Sequence, residues 1–167
     1  TKYLEASGEI HKIKPLMMAA PAVIANNPFV AGAKMKYFPP KKWDIDEVVI
    51  YCGPGFAEWS PKSLESAEGT FIGGSEEAVI YMSKELADLG WRVTVYGNPG
   101  DDEGLYFDDK VTFLPYYKFN EADEFNVFVS WRQPHIADWN LKTKKFYIWC
   151  HDIQNPLDYT PQRLAKI

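Results

Sequence analysis

The sequence predicts an α/β domain built on a doubly wound parallel sheet, and three observations carry that prediction. The apolar runs Glu47–Cys52 (EVVIYC), Phe125–Ser130 (FNVFVS) and Lys145–Cys150 (KFYIWC) read as strands buried on both faces. The segment from Ser75 to Leu89 places Val79, Met82, Leu86 and Leu89 at i, i+3, i+7 and i+10, the stripe of a helix covering a sheet. Strands alternate with helical stretches, which implies parallel pairing through right-handed crossovers.

In chain order, residues 1–45 read as an irregular arm or linker. Pro15, Pro21, Pro28, Pro39, Pro40 and Asn26-Asn27 punctuate it, leaving room for one short helix in its middle. The regular pattern occupies residues 46–167. After the first strand comes a loop from Gly53 to Ile72, holding Gly53-Pro54-Gly55, Phe56, Trp59 and Pro61. Loops longer than about 12–15 residues in compact domains are mostly functional or mobile. Ser75 is the expected N-cap of the helix, Glu76 and Glu77 complement its dipole, and Gly90 ends it. Trp91–Tyr96 is the second strand, GNPGDDEG a polar turn, and Val111–Leu114 a short third strand. PHIADWNLK, between the last two strands, reads as a short helix. The chain stops just after a helix-like start, and reads as a fragment of a longer protein.

Composition narrows the function classes. Hydrophobic residues make up 46% and charged residues 25%, the balance of a soluble globular chain. A net charge of -5, with no Lys/Arg block, argues against a sequence-independent grip on nucleic acid or anionic lipid. Aromatics, at 16%, are abundant enough to serve either an aromatic core or sugar and base stacking. The stretch PLMMAAPAVIA, interrupted by Pro21, falls short of the ~20 residues a membrane span needs, and no signal-peptide pattern precedes it. Two cysteines are no disulfide framework; Cys52 and Cys150 each close an apolar run and are expected to be buried and reduced, in a cytoplasmic setting.

Chemistry in an open α/β sheet belongs beyond the carboxyl ends of the strands. Three segments fall there: the Gly53–Gly74 loop, Trp131-Arg132-Gln133, and His151-Asp152-Ile153-Gln154-Asn155. Gly73-Gly74 opens the helix, where backbone amides and the dipole suit a diphosphate; a tight turn before a well-capped helix is the other reading. His151, at the end of a core strand, is either a donor contact or a structural histidine. Cys150-His151-Asp152 is no metal site, because consecutive residues diverge and no second ligand pair exists. No Gly-x-Ser-x-Gly elbow, Walker lysine or Gly-x-Gly-x-x-Gly fingerprint is present.

The segments DEVVIYCGPGFAEWSPKSLES, FIGGSEEAVIYMSKELADLGWRVTVYG, VTFLPYYKF, FNVFVSWRQP and KKFYIWCHDIQN, in that order, resemble the N-terminal domain of retaining GT-B glycosyltransferases, the group of glycogen synthases, sucrose synthases and bacterial mannosyltransferases. The resemblance spans about Asp46 to Ile167 and implies a Rossmann-like domain. It implies that Gly73 and Gly74 approach the donor diphosphate and the acceptor, with Ser75 and Asp152 beside them. It implies that His151 contacts the donor sugar near its reacting carbon and that Arg132 faces the cleft. Phe56 and Trp59 offer a stacking surface for an acceptor sugar; pinning the long loop is the equal reading of Trp59. The family's second Rossmann-like domain, which holds most of the nucleotide and a pair of glutamates, is absent from this chain.

The expectation is the acceptor-side half of a glycosyltransferase. It takes a nucleotide sugar and an acceptor, needs no cofactor or metal, and has a C-terminal Rossmann-like domain as its partner. A GT-B-fold sugar-nucleotide epimerase and a non-catalytic carbohydrate- or nucleotide-binding module are the rivals.

Overall fold

The computed structural model describes residues 2–9, 12–13, 28–37, 39–55, 57–65, 72–153 and 155–167. The chain divides into two compact units, Thr1–Lys41 and Lys42–Ile167. In the first, α1 spans Lys2–Ala6 and α2 spans Pro28–Tyr37. Pro28 opens α2, the position where a missing N–H costs nothing. The first unit thus has more regular structure than the expected arm.

The second unit starts at Lys42, a few residues before the boundary read from the sequence, because backbone pairing starts there. Lys42 bridges Glu124 in parallel, the Trp43 N–H donates to the Glu124 carbonyl (2.9 Å), and Trp43 Nε1 donates to the buried Asp123 carboxylate (3.0 Å). Six strands form one sheet: β1 Glu47–Tyr51, β2 Arg92–Gly97, β3 Gly104–Tyr106, β4 Val111–Pro115, β5 Glu124–Trp131 and β6 Lys142–Trp149. Their order across the sheet is β3-β4-β2-β1-β5-β6. All neighbours pair in parallel except β3 and β4, which pair antiparallel. The sheet is therefore mixed, not wholly parallel. β3 has no sequence signature, because three residues inside an acidic turn are too few to show a period.

β1 lies in the middle of the sheet with all five residues buried, as its apolar run requires. Its side chains alternate between two cores. Val48, Ile50 and Cys52 join Val93, Val95, Val111, Phe113 and Val127 on one face; Val49 and Tyr51 join Tyr96, Phe125, Phe128 and Phe146 on the other. The first face is covered by α3, Gly74–Asp88, which lies over β2 and β4. Its inward residues are Val79, Ile80, Ser83 and Ala87, with Leu86 partly buried, whereas Met82 and Leu89 are 44% and 77% exposed. The inward stripe is thus rotated from the expected one. Ser83 can turn inward because its hydroxyl donates to the Val79 carbonyl one turn back (2.7 Å), which satisfies it without a partner in the core.

No long helix covers the second face among the described residues. Short 3-10 turns at Tyr116–Lys118 and Pro134–Asp138 make the crossovers, and rings fill the space instead. Phe119 stacks on Phe125 (5.5 Å between centroids) and meets Tyr51, Tyr96 and Phe128; Phe128 stacks on Phe146 (5.6 Å). Much of the aromatic surplus is spent here. Fully burying each such ring is worth about 1.5–3 kcal/mol, and burial pushes the Tyr51 phenol up to about 12.

Candidate functional site

Between β4 and β5 the chain crosses from the β2 side of β1 to its other side, so the ends of β1 and β5 are adjacent where the direction of winding reverses. Ligands in α/β sheets bind at such a point. A cleft of about 340 Å³ lies there, lined by Cys52, Pro54 and Gly55 after β1, Glu76 of α3, and Trp131, Arg132 and Gln133 after β5.

The floor of the cleft is built from backbone. Past β1 the chain turns on Gly53 (φ 70°) and Gly55 (φ 64°). Gln133 Nε2 donates to the Cys52 carbonyl (2.7 Å), tying the end of β5 to the end of β1. A Cβ on Gly53 would stand 2.4 Å from that same nitrogen, so glycine is required there both by φ and by the close approach. The turn after β5 is closed by the Ser130 hydroxyl donating to the Gln133 carbonyl (2.7 Å) and by the Arg132 N–H donating to the Trp149 carbonyl of β6 (2.9 Å). Burial, with Glu76 adding to it, pushes the Cys52 thiol well above its usual range. It is no nucleophile near neutrality.

At the glycine pair, Gly73 is the N-cap, with φ -71°, and its carbonyl accepts from Glu76 and Glu77 N–H (3.0 and 3.1 Å). Ser75 is therefore the second helical residue and not the N-cap, which corrects the sequence reading: the helix opens two residues earlier than a side-chain cap would place it. Neither Gly73 nor Gly74 has a positive φ. Gly73 has a different neighbour to accommodate, the end of the Glu76 side chain. A Cβ there would meet Glu76 Oε2 at 2.5 Å, so the Glu76 carboxylate folds back against the helix start. Gly74 faces open space. Phe71, which precedes the pair, lies outside the described residues.

Arg132 pairs with Asp152, and its guanidinium carbon lies 5.0 Å over the Trp131 ring. The His151 ring packs 4.7 Å from Trp149 and 5.9 Å from Trp131. His151 Nε2 and Trp131 Nε1 are buried without a hydrogen-bond partner among the described residues. Arg132, Asp152, His151 and Glu76 thus gather at one end of the sheet.

Trp59 does not join them. It is 4% exposed, edge-on to Phe113 (5.8 Å) and tilted against Trp131 (6.2 Å), and it presses on Gly97, where a Cβ would stand 3.2 Å from the indole. It anchors the long loop in the core and presents no free ring face to a sugar. Phe56 lies outside the described residues. Cys150 also departs from expectation: it is exposed, with its sulfur 2.8 Å from the Tyr159 hydroxyl. Among the described residues no group of three or more His, Cys, Asp or Glu is placed to hold a metal, and no helix is long and apolar enough to cross a membrane.

A second cleft, about 320 Å³, lies beside the long loop and is lined by Glu58, Ser60, Lys62, Asp101 and Asp102 among others. Its groups satisfy one another: Lys62 and the Ser60 hydroxyl both donate to Asp102 (2.7 and 3.2 Å). Three carboxylates against one lysine make it a poor anion site.

Gln133 and Glu76 are the cleft residues whose roles the sequence did not disclose. Gln133 was placed in the right segment by topology, yet its bond to Cys52 depends on a strand pairing that no local pattern encodes. Glu76 reads from sequence as a helix-dipole partner; its second role, lining the cleft, needs the fold. No protein-family model, characterised protein or solved structure matches this chain.

Proposed function

We propose that this chain is the acceptor-side, Rossmann-like half of a GT-B glycosyltransferase, which moves a sugar from a nucleotide-sugar donor to an acceptor. The observation that carries the reading is the cleft at the β1–β5 reversal, where Arg132 and Glu76 face one space and His151 packs behind Trp131. A transferring sugar passes through an oxocarbenium-like state while a nucleoside diphosphate leaves with growing negative charge. Arg132 is the cation this half offers to the leaving diphosphate. His151, whose Nε2 has no partner among the described residues, contacts the donor sugar near its reacting carbon. That nitrogen is buried behind Trp131 and His151 does not line the cleft, so the contact requires the Trp131–His151 packing to open; a ligand hydroxyl would then offset part of the about 1–3 kcal/mol that an unpaired buried polar atom costs.

Glu76 changes the part played by the glycine pair. Its carboxylate against Gly73 occupies the positive end of α3, so the diphosphate meets Arg132 rather than bare helix amides. Gly74, open on its outer side, remains the place where backbone and ligand approach closely. A C-terminal Rossmann-like domain supplies the main nucleotide site.

The test is turnover. The complete natural protein carrying this chain, given UDP-, GDP- and ADP-sugars, is expected to release nucleoside diphosphate and form a glycoside, while this chain alone does not. His151→Ala should lower kcat more than it raises KM, by tenfold to about a thousandfold for one lost transition-state hydrogen bond. A variant with a lowered melting temperature and normal kcat per folded molecule would return His151 to the core. Conversion of a nucleotide sugar to an isomeric nucleotide sugar without transfer would favour the epimerase, and saccharide binding without any turnover the non-catalytic module.

A further inference from the structure

Arg132 stands in the left-handed region, φ 62°, as the first residue past β5. A side chain is disfavoured there and glycine is the easy occupant. Three of the four non-glycine residues with positive φ among those described, Phe107, Asp108 and Asp109, form one turn between β3 and β4. Arg132 is the fourth, and it lies in the cleft. Backbone strain of this kind persists where the surroundings hold it, and it gathers at ligand sites. What holds Arg132 is visible: its N–H on the Trp149 carbonyl, its guanidinium over Trp131, and its ion pair with Asp152.

The ion pair is the part a ligand would have to change. Both side chains are partly open to solvent, Arg132 at 33% and Asp152 at 49%. A pair so exposed is weak, because water screens it. A diphosphate brings more charge than one carboxylate and presents oxygens that match the planar guanidinium fork. We propose that Asp152 is an internal stand-in for the ligand's anion: it holds the Arg132 guanidinium in a neutral pair at the cleft, and a diphosphate binds by displacing it. Asp152 is then a positioning residue and not a ligand contact. The identity of the anion rests on the nucleotide-sugar reading above; the displacement rests on the geometry of Arg132 and Asp152.

Titration with sodium pyrophosphate at constant ionic strength, followed by the Arg132 Nε–H resonance in ¹⁵N NMR, tests the displacement at millimolar affinities. The wild-type resonance is expected to shift saturably. Asp152→Asn removes the competitor and should tighten binding about two- to fivefold, the range a surface ion pair supports. In the wild type the Trp131 indole N–H, whose ring lies under the guanidinium, should also shift saturably, and in Arg132→Gln that shift should disappear. Arg132→Gly separates strain from function: binding is lost, while the melting temperature holds or rises because glycine relieves the φ of 62°.

Equal or weaker binding by Asp152→Asn would overturn the proposal, as would a wild-type Arg132 signal that ignores pyrophosphate or undiminished binding by Arg132→Gln. A clear fall in melting temperature for Arg132→Gly would make the arginine a structural residue and overturn it too. Failure of the nucleotide-sugar reading looks different: Asp152→Asn still tightens pyrophosphate binding, yet the complete protein releases no nucleoside diphosphate from any nucleotide sugar.

Discussion

Gly53→Ala is expected to destabilise the sheet-bearing unit by about 2–4 kcal/mol, and the two parts of that cost can be separated. The first is conformational. Gly53 has φ 70°, where an alanine loses about 1–2 kcal/mol against the folded backbone. The second comes from Gln133, whose Nε2 would lie 2.4 Å from the new Cβ. That amide ends a flexible side chain and can swing aside, so the clash costs no more than what swinging breaks. It breaks the 2.7 Å bond to the carbonyl of Cys52, a residue only 3% exposed. Cys52 lines the cleft, where water can partly replace the amide, so the unpaired carbonyl costs about 1–2 kcal/mol, the lower part of the range for such groups. For a unit of this size, near 4 °C per kcal/mol, the melting temperature should fall by about 8–15 °C.

A double-mutant cycle with Gln133→Ala, read by thermal melts and urea titration, isolates the second part. Gln133→Ala alone already breaks the bond to Cys52. In its background Gly53→Ala should therefore cost only the conformational 1–2 kcal/mol, leaving a coupling of about 1–2 kcal/mol between the sites. Additive effects would show that Gln133 does not occupy the space beside Gly53. A Gly53→Ala protein melting within about 2 °C of wild type would refute the whole construction of the cleft floor.

Three further outcomes follow from the same geometry. Gly74→Ala, in open space at the start of α3, should leave the melting temperature unchanged or raise it, by at most about 0.5–1 kcal/mol of helix propensity; a clear fall would mean that the helix opens elsewhere. With Ellman's reagent at pH 8 the native chain should show one fast thiol, Cys150, and the urea-unfolded chain two; two fast native thiols would contradict the burial of Cys52. Burial raises the Cys52 thiol above its unfolded value, so its contribution to stability is complete below about pH 8.5 and is lost as pH rises beyond, at about 1.4 kcal/mol per pH unit. Urea titrations at pH 7.5 and 9.5 should therefore show a loss that is smaller in Cys52→Ala, and identical slopes for the two proteins would count against a thiol buried in the folded state.

The sequence disclosed what period and apolarity encode, and little of what pairing encodes. The central strands were legible because such a strand needs an apolar run, and EVVIY, RVTVYG and EFNVFVSW supply it; KFYIWC reads the same way, yet β6 lies at the sheet edge with only Phe146 buried. The helix was legible too, but its inward face was not. Met82 and Leu89 outrank Ser83 on any hydropathy scale, while the sheet surface selected the small Ser83 and Ala87 and turned the larger residues outward. Trp59 was left open by the sequence for a related reason. A tryptophan in a long, glycine-rich loop is as compatible with sugar stacking as with anchoring, and only Gly97 on the neighbouring strand, open to the indole, decides for the anchor. The segments of the candidate site were placed by a topological rule, whereas their partners, Gln133 with Cys52 and Arg132 with Asp152, join residues on different strands or beyond their ends.

Both positive features of the cleft carry a carboxylate of their own. Glu76 lies against the helix start at Gly73, and Asp152 pairs with Arg132. The chain as a whole bears a net charge of -5, so its overall field does not favour the approach of anions. An inorganic monoanion would have to break a pair and gain little beyond what it replaces. A ligand that also fills apolar surface and satisfies buried polar atoms has more to offer. Trp131 lines the cleft with its ring under the Arg132 guanidinium and is only 4% exposed, so a ligand reaches that ring only once the Arg132 side chain has moved. On the proposed reading, charge does not recruit the nucleotide sugar. It is exchanged at Arg132, carboxylate for phosphate, and a ligand with further contacts in the cleft is favoured over free phosphate.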